Sequence, residues 1–347
     1  MLHLTLPELR ARRLIAQGLA PSAARPATTS PLAAAEHLMA VQGQNYAAGV
    51  RALALRSTQG SAAPDDAAVL NAIDEFQVVR CWPQRGTVHF MPAADVRWMS
   101  RLLYPRVARS QQARRPGLGL DEDLFNRAHA ALHDAALKST TPTLTRAEAY
   151  EIFRSVGIAP DGGRGSHLLR AFGGAGDLVQ GPKHGKQETF MHVDVLPVEQ
   201  RQPEEPLREL ALRYVNGHGP VSAADLAWWT MLAKGQAAKA LENSGLVRAE
   251  HEGETFWLSP WQQDVTAEEI SVALALRLEL PAFDEYLLGY ANKEWILPDE
   301  LRPDILTKNG LSWPWVMENG MPWLACVNPL KACARCGDAP CRRARRG

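Results

Sequence analysis

The chain has 347 residues, with 38 basic side chains balanced by 38 acidic ones and an apolar fraction of 46%. That length accommodates several compact units with a large buried area, and the interleaved charges leave no run of about 18 apolar residues that would cross a membrane as a helix. A net charge of zero does not mark a globally basic nucleic-acid binder, so affinity for a polyanion has to come from local patches.

The first 20 residues hold no continuous apolar stretch of a secretory signal, because Arg10, Arg12 and Arg13 interrupt it; the expected compartment is the cytoplasm. Pro7 suits a first helical turn, and Leu9, Leu14, Ile15 and Leu19 recur at helical spacing, which predicts a helix over 7–20. A Pro/Ser/Thr-rich turn at 21–30 leads to a second helix over 31–40, and a third follows over about 45–56. Between them stands LMAVQGQNYAAGVRAL, residues 38–53, in which Gln42 and Gln44 flank Gly43 inside an otherwise apolar run. A buried side-chain amide without partners costs about 1–3 kcal/mol. Either each amide finds a local partner, Gln42 capping the preceding helix and Gln44 bonding a nearby carbonyl, or the two together hold a ligand.

A helix over about 64–75 precedes two extended stretches, FQVVRCW and GTVHFM, separated by Pro83-Gln84-Arg85-Gly86 and read as a hairpin. Helices followed by such a hairpin compose a winged helix. Pro92 then opens a helix with Val96, Met99, Leu102 and Leu103 on one face. Residues 97–115 carry Arg97, Arg101, Arg106, Arg109, Arg114 and Arg115 with no acidic residue among them, which suits phosphate contacts as well as a solvated face. Another helix is expected over 121–138, and 139–144 reads as a boundary.

Thr145-Arg146-Ala147-Glu148 is a capping box for a helix to about residue 156. A glycine-rich turn at 162–165, a helix over 166–172, and the strands DLVQGP and TFMHVDV about a polar tip at 183–187 repeat the helix, turn, helix, wing order. Arg164, Ser166, His167 and Arg170 fall on or before the recognition-type helix, and Lys183 and Lys186 on the wing; these are candidate DNA contacts. The order recurs with helices over 206–216, 222–232 and 234–243 and the hairpin LVRAEHEGETFWL turning at Glu252-Gly253. The expected fold class is therefore α+β, mainly helical: tandem winged-helix units over 1–140, 141–202 and 203–260, followed by a β-rich C-terminal domain over 261–347. There Asn319-Gly320 marks a turn, and Asp284 and Glu285 stand side by side, facing opposite ways if on a strand. Cys326, Cys333, Cys336 and Cys341 crowd the end. Cys-x-x-Cys permits a zinc reading, but the surrounding segment lacks the apolar alternation that seats a metal knuckle and reads as a basic tail, so no metal and no cofactor are expected.

Gln42-x-Gln44, then Arg80-Cys81-Trp82, then Arg85-Gly86-Thr87-Val88-His89, then Phe283-Asp284-Glu285-Tyr286, in this order, resembles the AlkZ/YcaQ-like DNA glycosylases, a winged-helix family. The resemblance implies that Gln42 and Gln44 are the catalytic pair, that Arg85, Thr87 and His89 support the glutamine turn with Trp82 beneath it, and that the partner of a monomeric protein is double-stranded DNA. It implies excision of N7-alkylated purines and, in some members, unhooking of interstrand crosslinks. Read on their own, Trp82 is a core aromatic, His89 a structural histidine rather than a base, and Asp284 or Glu285 an alternative general base. The chain departs from the pattern at Gly43, where the best-known members carry an aliphatic residue, and after Gly320, where Met321-Pro322-Trp323-Leu324 and the Cys/Arg-rich tail replace a Gly-x-Trp-Arg strand. A regulator of winged-helix type, with structural glutamines, is the competing class; it would leave DNA intact and bind one sequence far more tightly than others.

Overall fold

Thr5, Thr145 and Thr266 each close a capping box with a glutamate three residues on, Glu8, Glu148 and Glu269, and so start the helices Leu6–Ala16, Arg146–Ser155 and Ala267–Ala275. The computed structural model describes residues 2–58, 63–326 and 341–343, and the chain is α+β with helices dominant. It divides into two compact units, one formed by residues 1–69 with 208–347 and the other by the continuous stretch 70–207.

In the first unit, Leu2–His3 runs parallel to Val247–His251, which pairs antiparallel with Glu254–Leu258. Leu4, Leu9, Ala249, Phe256 and Leu258 form the core beneath that sheet. Helix Leu6–Ala16 packs against Ala267–Ala275. A second, antiparallel sheet takes Arg277–Leu280, Trp315–Glu318, Met321–Cys326 and Cys341–Arg343 in that order, with Asn319 and Gly320 both at positive φ in the two-residue turn. Two fully buried ion pairs cross the unit, Arg13 with Asp225 at 2.9 Å and Arg56 with Asp284 at 2.8 Å.

In the second unit, the sheet runs Thr87–Pro92, Val78–Gln84, Leu178–Gln180, Thr189–His192, Leu144–Thr145, all antiparallel. Helices Glu122–Lys138, Arg146–Ser155 and Arg164–Ala175 contribute Leu132, Phe153, Leu168 and Phe172 to its core, together with Phe190 from the sheet.

The two compact units divide at 69/70 and 207/208, beside the boundaries at 140/141, 202/203 and 260/261 that the sequence leads one to expect. A lone hairpin leaves an edge of unpaired N–H and C=O groups, and here the hairpins find other strands: Arg80 lies opposite Gln180, and Leu2 opposite Ala249. The helix expected from Pro92 is a 3-10 turn Ala93–Asp95 followed by Val96–Leu103 and Pro105–Gln112, broken where Pro105 has no N–H to continue the ladder. The helix expected over 166–172 runs Arg164–Ala175 and stops at Gly176, at φ 84°. Asp284 and Glu285 are not strand neighbours: Asp284 caps the short helix Glu285–Leu288. Cys333 and Cys336 lie outside the described residues.

Candidate active site

The glutamine turn is held at both sides by helix ends. Ser30 and Pro31 start the helix Pro31–Leu38, which stops at Met39 with φ 67°. Ala40 and Val41 are fully buried, and Val41–Gln42 is extended. Asn45 then caps Tyr46–Arg56 by accepting from the Ala48 amide at 3.2 Å. Gln42 is 7% exposed, and its Oε1 accepts from the backbone amides of Gly43 at 3.1 Å and Gln44 at 3.4 Å. The side chain thus folds onto the backbone that follows it. With the oxygen engaged, Gln42 has its two Nε2 hydrogens to offer a ligand. Gln44 is exposed and can both donate and accept. Gly43 does not take a left-handed conformation, so the turn makes no use of the freedom that only glycine has there.

The far end of the same helix is anchored. Arg56, 1% exposed, donates to both carboxylate oxygens of Asp284 at 2.8 and 2.9 Å, to Gln17 Oε1 at 2.8 Å and to the Ala52 carbonyl at 2.9 Å. Asp284 Oδ1 also accepts from the Tyr286 amide. Glu285 accepts from Trp229 Nε1 at 2.5 Å and contacts His218 Nε2 at 3.3 Å. Both carboxylates are fully buried and committed to the interior of their unit, which removes them as a general base.

The second unit holds the other motif residues. Gln84 pairs with Thr87 across the hairpin, so the turn is the two residues Arg85 and Gly86, at φ 52° and 67°, the geometry of a type I′ turn. Gln84, read in the sequence as part of the turn, belongs to the strand. It is fully buried with neither amide atom hydrogen-bonded, and Thr87 Oγ1 beside it is likewise buried without a partner. Arg-Gly at the turn was the signal that could have placed it. His89 is fully buried; its Nδ1 lies 2.9 Å from the Thr87 carbonyl and its Nε2 3.2 Å from Arg85 Nη2. A guanidinium only donates, so Nε2 accepts from Arg85 and Nδ1 donates to the Thr87 carbonyl, which orients the ring against the hairpin. Trp82 packs on Gly173, where an added Cβ would fall 2.4 Å from Trp82 Cε3, and joins the edge of the core.

The candidate DNA contacts separate into two sets. Arg97 pairs with Asp194 at 2.5 Å, Arg164 donates to the Leu118 carbonyl at 2.6 Å, Arg170 donates to the Gly86 carbonyl, and Ser166 Oγ donates to the Gly163 carbonyl at 3.0 Å. His167 is 8% exposed, and burial, with Arg115, Arg114 and Arg170 nearby, pushes it below the ordinary histidine range. Helix Arg164–Ala175 buries Gly165, Leu168, Leu169, Phe172 and Gly173, so it packs beneath the hairpin more than it presents a reading face. Arg101, Arg109, Lys183 and Lys186 are exposed and Arg106 half-buried.

A family model described as DNA glycosylase AlkZ-like matches residues 35–321, a span that starts just before the glutamine turn and stops short of the cysteine-rich tail. The interstrand DNA cross-link repair glycosylase of Streptomyces sahachiroi is 25% identical over 301 residues, covering 82% of this chain and 78% of that protein. The solved structure of the Streptomyces sahachiroi DNA glycosylase AlkZ aligns with a TM-score of 0.73 at 21% identity, covering 93% of this chain and 88% of that one; at that identity the likeness carries the fold. No helix among the described residues is long and apolar enough to cross a membrane.

Proposed function

Because the chain belongs to the AlkZ-like DNA glycosylase family and is on that ground a DNA glycosylase, we propose that it removes purines made cationic by N7 alkylation from duplex DNA, with Gln42 and Gln44 orienting the water. The single observation that carries this reading is the locked amide of Gln42: its oxygen is taken up by Gly43 and Gln44, so its donor end is the part left for a ligand. Gln42 Nε2 donates to the water oxygen, and Gln44 Oε1 accepts one of its hydrogens. The remaining lone pair is thereby turned toward C1′ of the sugar.

Neither amide is a useful base at neutral pH, and the chemistry does not require one early. An N7-alkylated guanine carries a positive charge and leaves as a neutral base, so no proton has to be supplied to it. The C1′–N9 bond breaks with its electron pair passing to the base, leaving an oxocarbenium-like sugar stabilised by fixed dipoles; the positioned water bonds to C1′ and then releases its extra proton to bulk water. Arg85, Thr87 and His89 order the hairpin of their own unit, and in our reading Arg101, Arg106, Arg109, Lys183 and Lys186 hold the duplex by its phosphates. The helix-and-hairpin segments are read as tandem winged-helix units. The likeness to the Streptomyces sahachiroi interstrand cross-link repair glycosylase supports interstrand crosslinks as a further substrate. The family match favours the enzyme over a regulator with structural glutamines.

The test is release of free base from duplex DNA carrying N7-methylguanine, by the wild type beside Gln42→Ala and Gln44→Ala. Release by the wild type, lost in both variants while DNA binding persists, is the expected result. Undiminished release by the Gln42 variant would overturn the assignment of the pair.

A further inference from the structure

His133 on helix Glu122–Lys138, His192 at the end of strand Thr189–His192, and Asp194 in the 3-10 turn Val193–Val195 converge within the second unit. One ligating atom from each lies within 4.8 Å of the other two. His133 Nε2 and His192 Nδ1 stand 3.1 and 3.5 Å from the same oxygen, Asp194 Oδ2. Ligands at about 2.0–2.1 Å around a tetrahedral ion sit roughly 3.3–3.4 Å from one another; both separations match an edge of that polyhedron. We propose that His133, His192 and Asp194 bind one divalent cation of the zinc class, with water completing the shell.

The second histidine of the set is the buried one. His192 is 4% exposed, and its Nε2 is buried with no hydrogen-bond partner. Its Nδ1 accepts from the Asp194 amide at 3.2 Å and lies 3.5 Å from the Asp194 carboxylate. Ligation through Nδ1 would take over that long amide contact and fix the tautomer with its hydrogen on Nε2. The surroundings are those of a metal site with outer partners. Arg97 Nη2 lies 2.5 Å from Asp194 Oδ1, the oxygen turned away from the histidines, and fixes the carboxylate. Asp134 Oδ1 lies 4.0 Å from His133 Nδ1. His129 is occupied separately, with Nε2 3.0 Å from Asp177 Oδ2, and stays outside the set.

Two neutral imidazoles and one carboxylate leave a net positive site beside a guanidinium, so the affinity is below that of closed, cysteine-rich zinc sites. The role is structural. The ion clamps the long helix to the end of the strand and the turn that follows, far in chemical logic from the amide-and-water chemistry of the glycosylase reaction.

The test uses the full chain, stripped with chelator and titrated with Co(II) by visible absorption and with Zn(II) by calorimetry, in the wild type, His133→Ala, Asp194→Asn and a Cys333→Ser/Cys336→Ser variant. His133 and Asp194 are not buried, so both ligand variants should fold, as circular dichroism will show. Expected are one Co(II) per chain with tetrahedral bands free of thiolate charge transfer, and a Zn(II) affinity lowered in each ligand variant by at least the ~10–100-fold that loss of an outer partner costs. The cysteine variant should match the wild type. Failure of the wild type to bind at one equivalent, unchanged affinity in His133→Ala, or loss of binding in the cysteine variant would each overturn the proposal.

Discussion

Replacing Asp284 with Asn tests how the helix bearing the glutamine turn is fixed. Asn caps helices as well as Asp does, so the bond to the Tyr286 amide can persist while the charge disappears. What remains is Arg56, 1% exposed, with its guanidinium facing an amide in place of a carboxylate that met it at 2.8 and 2.9 Å. Removing one partner of a buried pair costs about 3–5 kcal/mol because the other charge is stranded, a large part of the ~5–15 kcal/mol typical of a whole domain. Arg56→Met alone should cost a similar amount, since it strands Asp284. The double variant should lose less than the sum, and no more than about either single, because no uncompensated charge is left. Urea unfolding of the four proteins, followed by circular dichroism, gives the coupling energy. Singles that each cost under about 1 kcal/mol, or losses that simply add, would refute the claim that this pair anchors the helix.

Burial holds His37 down to about 4, with Nε2 2.5 Å from the Ala16 carbonyl and Nδ1 facing the Asn216 amide at 3.2 Å. Between that value and the ordinary 6.5 the unfolded chain takes up a proton that the folded chain refuses. Its share of the stability is therefore full above about pH 6.5 and falls toward pH 4 by roughly 3 kcal/mol; urea midpoints across this range should slope less for His37→Gln than for the wild type, with His192, also held down to about 4, keeping part of the slope, and equal slopes would exclude His37 as a cause. A Cβ on Gly217 would come within 2.3 Å of the His37 carbonyl oxygen, so Gly217→Ala should destabilise by about 1–3 kcal/mol or more, read as a lowered melting temperature. Arg101→Glu and Arg109→Glu should weaken binding to undamaged duplex alike for every sequence and lower the salt slope by about 1 each; an unchanged slope would remove these residues from the phosphate contacts.

The local punctuation was legible. The Thr145 capping box, the Glu252-Gly253 and Asn319-Gly320 turns and most helix limits follow from side chains within a few residues of the backbone groups they satisfy. Partners distant in the chain were not. Nothing around Arg13 announces Asp225, nor anything around Arg56 Asp284, because a buried ion pair has no spacing rule to betray it. The same gap explains the domain boundaries: alternation identifies a hairpin but not the strand that covers its edge, and Arg80 opposite Gln180 joins two hairpins that the sequence had divided. At the glutamines, the amides stood out as polar groups in an apolar run. Which end of the Gln42 amide is spoken for depends on the backbone turn at Gly43 and Gln44, and only the fold supplies that.

The first unit is discontinuous, residues 1–69 completed by 208–347, with the whole of 70–207 between. On a ribosome this has an order. The opening segment, glutamines included, emerges without the strand at Val247–His251 that Leu2–His3 will pair with and without the Asp284 that Arg56 will bind. At ~5–20 residues per second it waits roughly 10–50 s for them. The continuous unit meanwhile has all its strands in hand as soon as it clears the tunnel. Vectorial synthesis thus favours completing the inserted unit first, while the helix that follows the glutamine turn waits for Asp284 to fix its far end at Arg56.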